Sequence, residues 1–121
     1  MQIVDSVPFE EYQKKFDNSH VLIDQLYSYG CGLNGVLGMS KGMIVVGGAD
    51  PYMYKLMGEN ENFPLVYLPI DKTEMLQALE ILIKEKYTLH ERAHRSREFA
   101  VKHHDYIKVA HEYVEFWKSK M

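Results

Sequence analysis

Apolar positions along the chain change their period several times, and each change marks an element. The run QIVDSV (Gln2–Val7) is rich in β-branched residues and is halted by Pro8, which predicts a strand ending at the first turn of a helix. In that next stretch Phe9, Tyr12 and Phe16 recur at helical spacing. Glu10 and Glu11 open it and Lys14 and Lys15 close it, the order a helix dipole favours. HVLIDQL (His20–Leu26) then reads as a strand covered on both faces, as strands of parallel sheets are. From Gly32 onward Leu33, Val36, Leu37 and Ser40 share one helical face, and Gly42 follows as a C-terminal cap. MIVV (Met43–Val46) predicts another buried strand, closed by GGADP, and YMYKLM predicts a short helix. GENENFP is a turn-rich loop, and LVYL (Leu65–Leu68) is a fourth strand.

The rest of the pattern is helical. Asp71 and Glu74 form a capping pattern ahead of Met75, Leu76, Leu79, Leu82 and Ile83. Thr88 and Glu91 repeat it ahead of Leu89, Ala93, Ser96, Ala100 and His103, and a last helix carries Ile107, Ala110, Val114 and Trp117. Strands alternating with helices and followed by helices alone predict a parallel α/β sheet of about four strands with a helical C-terminal extension. Residues 1–121 form one domain, with βα units over 1–86 and the C-terminal helices over 87–121.

Composition narrows the function classes. The net charge of −3 argues against a nucleic-acid surface, which needs a basic excess to neutralise phosphates. A single cysteine, Cys31, excludes an internal disulfide framework and points to a reducing, cytoplasmic setting. No apolar run approaches the ~20 residues a membrane span needs, and the first 30 residues carry no signal-peptide pattern.

The stretch SYGCGLNGVLGMSKG (Ser28–Gly42) holds five of the chain's eight glycines. Gly30 and Gly32 fall between the carboxyl end of a strand and the first turn of a helix, the edge at which open parallel sheets hold ligands. Bare amides and the positive end of the dipole would there suit a phosphate. Gly35 and Gly38 lie inside the helix, where each costs roughly 1 kcal/mol relative to alanine and so calls for close packing on the sheet or on a ligand.

HVLIDQLYSYGCGLNGVLGMSKGMIVVGG resembles the donor-binding half of the GT-B type glycosyltransferases, the large retaining group that uses nucleotide-activated sugars. Gly32, Leu33, Met39, Gly42 and Ile44–Val46 carry the likeness. GGADPYMY is similar to the group's next loop, with Asp50 in its acidic position, and SREFAVKHHDYIKVAHEYVEFW resembles its closing helices. The resemblance implies a partial Rossmann-like domain that binds a nucleoside diphosphate sugar. It also implies that amides near Gly30, Gly32 and Asn34 hold the diphosphate, and that Tyr29 and Asp50 lie at the sugar. The group's paired glutamates are replaced by Tyr29 and Leu37, and leucine cannot accept a hydrogen bond from a ribose hydroxyl. The group's acceptor domain and first donor-domain strands have no counterpart here. A transferase fragment inactive alone is therefore expected, with no catalytic residue assigned and no cofactor called for. Gln2–Asp5 is then expected to pair beside Val21–Asp24 or with a partner chain, so the sheet edge and the C-terminal helices are candidate surfaces for self-association.

Other readings compete. A non-catalytic α/β interaction or assembly module would keep the fold without the ligand. HERAH (His90–His94) matches the His-Glu-x-x-His zinc pattern, but Glu91 is expected to serve a helix cap and Arg92, Arg95 and Arg97 oppose a cation. Cys31 is expected to be a packed thiol, and His103 and His104 a helix-terminal pair favoured by the dipole. Asp24 is either a loop anchor or a site residue, and exposed aromatics at Tyr106, Tyr113, Phe116 and Trp117 would mark an interface.

Overall fold

The computed structural model describes residues 1–59 and 64–121. Three parallel strands lie in sequence order, β1 (Val21–Ile23), β2 (Ile44–Gly47) and β3 (Val66–Tyr67). Helices α1 (Phe9–Asp17), α2 (Leu33–Ser40), α3 (Pro51–Leu56), α4 (Lys72–Lys84), α5 (Leu89–His104) and α6 (Tyr106–Lys120) surround or extend the sheet. A 3-10 turn, Lys86–Thr88, joins α4 to α5. No helix among the described residues is long and apolar enough to cross a membrane.

Alternation along β2 builds the two cores. Val45 points to one side, where it meets Met39 of α2, Tyr54 of α3, and Phe99 and Ala100 of α5. Ile44 and Val46 point to the other, against Leu68 and against Leu82, Met75 and Leu79 of α4. With helices on both faces all four residues of β2 are buried, which is why its sequence is apolar without interruption.

Local signals place the helix ends. After α2 the chain turns at Gly42, whose φ of 77° suits glycine. The Met43 and Gly42 amides donate to Gly38 O and Met39 O, both at 2.9 Å, closing a Schellman turn. Gly58, at φ 74°, repeats the device after α3. Asp71 caps α4 as expected, its Oδ1 accepting from the Thr73 and Glu74 amides at 3.0 Å. The interior glycine Gly38 has the packing role expected of it, since a Cβ there would lie 2.9 Å from Leu22 Cδ2 on the sheet.

Three expectations fail. Gln2–Val7 is not a strand: β1 pairs with β2 alone, and without a neighbouring ladder the short run has no partner for its backbone. The expected pairing of Gln2–Asp5 with Val21–Asp24 thus does not form within the chain, and among the described residues the sheet has three strands, not four. The Thr88–Glu91 cap is also absent. Thr88 has helical dihedrals (φ −90°, ψ −5°), whereas an N-cap needs extended backbone. Its hydroxyl donates to Glu85 O and accepts from Arg92 Nε, and Glu91 pairs with Arg95 instead. The loop predicted over GENENFP falls largely outside the described residues.

Candidate functional site

Beyond the carboxyl ends of β1 and β2 the chain makes two loops that run against each other. Asp24 N–H donates to Val46 O (2.9 Å), Gly48 N–H to Gln25 O (2.9 Å) and Asp50 N–H to Tyr29 O (2.8 Å). Residues 24–29 and 46–50 are thereby zipped backbone to backbone. The zip requires small residues on one side. A Cβ on Gly47 would lie 2.8 Å from Gln25 O, and one on Gly48 would overlap the Ser28 carbonyl oxygen. This pair of glycines, directly after a buried strand, is the signal that reading along the sequence underused.

The joined loops wall a crevice of about 530 Å³, lined by Leu26, Tyr27, Tyr29, Asp50, Tyr67 and Ile70 among others. Tyr27, Tyr29 and Tyr67 are exposed, so their ring faces are open to a guest. Asp50 is the N-cap of α3, its Oδ1 accepting from Tyr52 N–H at 2.7 Å. Tyr29 and Asp50 are therefore brought together in one lining, while Tyr27 and Tyr67 were not foreseen. A lone tyrosine at the end of a strand carries no pattern that singles it out.

Gly30, Gly32 and Asn34 do not line this crevice; they lie on the α2 side of the loop. Gly30 N–H approaches Ser28 Oγ at 3.4 Å, and nothing lies within 4 Å of where its Cβ would be. Gly32 is the N-cap of α2, and Leu33 and Asn34 are exposed in the first turn. The Gly32 amide is not bare. It donates to Asp24 Oδ2 at 2.9 Å, so Asp24 anchors the loop and places a carboxylate at the helix start. Gly35 permits this: a Cβ there would lie 2.5 Å from Cys31 Cβ and 3.0 Å from Asp24 Oδ2.

The remaining candidates fall into structural roles. Burial, and then the Asp24 charge, push the Cys31 thiol up to about 11, so it is protonated at neutral pH and packs against the α2–α5 core. His103 Nε2 donates to Glu59 Oε1 at 2.8 Å, and its ring packs at a tilt of 48° against Phe99 with centroids 4.6 Å apart. Partial burial, and then His103, lower the pKa of His104, the opposite of the dipole-favoured charge expected for the pair. In HERAH, His94 pairs with Glu98 at 3.5 Å and Glu91 with Arg95 at 3.3 Å. No three His, Cys, Asp or Glu side chains among the described residues gather as metal ligands.

Comparison with known proteins adds no relative: no family model, no curated protein and no solved structure matches the chain.

Proposed function

We propose that the chain is part of the donor-binding side of a glycosyltransferase, one that draws its sugar from a nucleoside diphosphate sugar. The supporting observation is the tyrosine-lined crevice at the carboxyl edge of the parallel strands, where α/β sheets hold their ligands. Tyr27, Tyr29 and Tyr67 offer faces for a sugar or base ring, and Asp50 offers acceptors for hydroxyl groups. Gly30, Gly32 and Asn34 lie outside this lining, at the start of α2. No residue is given a catalytic role, and the acceptor must be held by a second lobe, so the chain alone should transfer nothing.

Calorimetry with nucleoside diphosphate sugars tests this. Binding in the millimolar range or tighter is expected for the unmodified protein, and it should be lost on Tyr29→Ala with Tyr67→Ala while the circular dichroism stays unchanged. No binding by the unmodified protein overturns the reading, and measurable sugar transfer by it alone overturns the claim of inactivity.

A second reading, a non-catalytic interaction or assembly module, is favoured by α6. This helix buries no residue and leaves Ile107, Tyr113, Phe116 and Trp117 exposed. Self-association through it, or through the open edge of β1, would appear as a concentration-dependent mass in sedimentation without nucleotide binding.

A further inference from the structure

The crevice at the loops after β1 and β2 combines aromatic surface with one sign of charge. Among the described residues Asp50 is the one charged side chain in its lining, and no Lys, Arg or His takes part. Its Oδ1 accepts from Tyr52 N–H at 2.7 Å, while Oδ2 has no hydrogen-bond or ion-pair partner among those residues. Tyr27, Tyr29 and Tyr67 line the same crevice and are exposed. Among the described residues none of the three stacks on another ring. Lys120 lies over Phe116 in α6, but no Lys or Arg among the described residues lies over these three rings. The face of a tyrosine ring is negative, so it attracts a cation and not an anion. A carboxylate without a counter-ion adds to the same preference.

We propose that this crevice is a binding site for a small organic ammonium ion, with the tyrosine faces against its alkyl groups and Asp50 against its charge. The charge of the lining argues for this occupant, and a volume of about 530 Å³ is that of a small-molecule site. A phosphate or carboxylate guest would meet Asp50 with no cation in the lining to offset it. The proposal rests on the crevice and goes beyond the donor-side reading. Where that reading also holds, the sugar seated here carries a protonated amine and its diphosphate lies outside this lining.

Choline and its uncharged carbon isostere, dimethylbutanol, share one shape, so calorimetry with the two on the full chain separates charge from apolar contact. The unmodified protein should bind choline in the millimolar range, and about tenfold more tightly than the isostere or better. Asp50→Asn keeps a capping oxygen for Tyr52 N–H and removes the charge. The preference for choline should then shrink severalfold while isostere binding stays. Tyr27→Leu with Tyr67→Leu keeps apolar surface but removes two ring faces, and the same narrowing is expected. No choline binding by the unmodified protein, equal binding of the two probes, or a preference that survives both variants overturns the proposal. Should a variant not fold, the two probes compared on the unmodified protein decide alone. Nucleoside diphosphate sugar binding without choline binding overturns this proposal and leaves the donor-side reading standing. Choline binding without nucleotide binding does the reverse.

Discussion

Helices α5 and α6 follow one another, are nearly equal in length at 16 and 15 residues, and both repeat apolar residues at helical spacing. Yet α5 buries Ser96, Phe99 and Ala100, whereas α6 buries nothing. The difference is in what each apolar face meets. Ala93, Ser96 and Ala100 are small enough to let α5 approach α2, and Phe99 fills the space beside Tyr54, with ring centroids 6.0 Å apart. The face of α6 is aromatic and bulky, and none of its residues is buried. Apolar spacing predicts a helix in both cases; burial is decided by the neighbour.

The largest test of this contrast removes one large side chain from each helix. Phe99, 7% exposed, should lose about 3–5 kcal/mol of stability on Phe99→Ala. Trp117, 60% exposed, should change it by less than about 0.5 kcal/mol on Trp117→Ala. Urea unfolding of both variants, followed by circular dichroism, reads the difference; similar losses would mean that α6 is packed in solution. Because Trp117 is the chain's one tryptophan, its emission gives a second readout. It should match that of free tryptophan in water, and a blue-shifted emission that depends on concentration would show α6 buried against another copy.

The same distinction between a local pattern and its neighbour explains what the sequence revealed. The run at β2 was legible because burial on both faces leaves a continuous apolar signature; β1, expected to be covered likewise, is an edge strand with no buried residue and with Ile23 exposed. The Asp71 cap was legible because both partners lie within one turn. Gln2–Val7 misled because a strand needs an adjacent edge, which local composition does not encode. Thr88–Glu91 misled because the 3-10 turn before α5 denies Thr88 an extended backbone. Tyr29 and Asp50 do share one crevice, but the Gly47–Gly48 contact with Gln25 and Ser28 joins segments some twenty residues apart and only the fold reveals it. Asp24 was left between anchor and site residue, and its bond to Gly32 makes it an anchor.

That contact sets a second comparison, between glycines the fold needs and one it does not. Gly48→Ala would drive a methyl group into the Ser28 carbonyl, and neither backbone segment can yield without breaking the zip. A loss of about 1–3 kcal/mol is expected, with weakened binding at the crevice. Gly30 has no neighbour within 4 Å of a Cβ and no positive φ, so Gly30→Ala should be neutral or stabilise by about 0.4–1 kcal/mol. Thermal melts of the two variants check this. A Gly30→Ala protein as damaged as Gly48→Ala would mean that the loop is packed on both sides.

The smallest expected effect lies where α5 stops being held. Glu59, just after α3, accepts from Lys102 and His103 in the last turn of α5, and α6 begins three residues beyond His103. Hydrogen bonds from Lys102 and then His103 lower the Glu59 pKa below the ordinary glutamate range. In the folded chain Glu59 therefore stays ionised at pH values where the unfolded chain has already bound a proton. Its contribution is fully present above the ordinary glutamate pKa and is lost as pH falls through the lower folded-state value. The unmodified protein should be more stable than Glu59→Gln at pH 7 by up to about 1 kcal/mol, and the gap should close progressively below the ordinary glutamate pKa. Melts of both proteins across that range read it. A gap that persists in acid would show that the Gln variant loses packing rather than charge, and that α5 ends where its apolar contacts end.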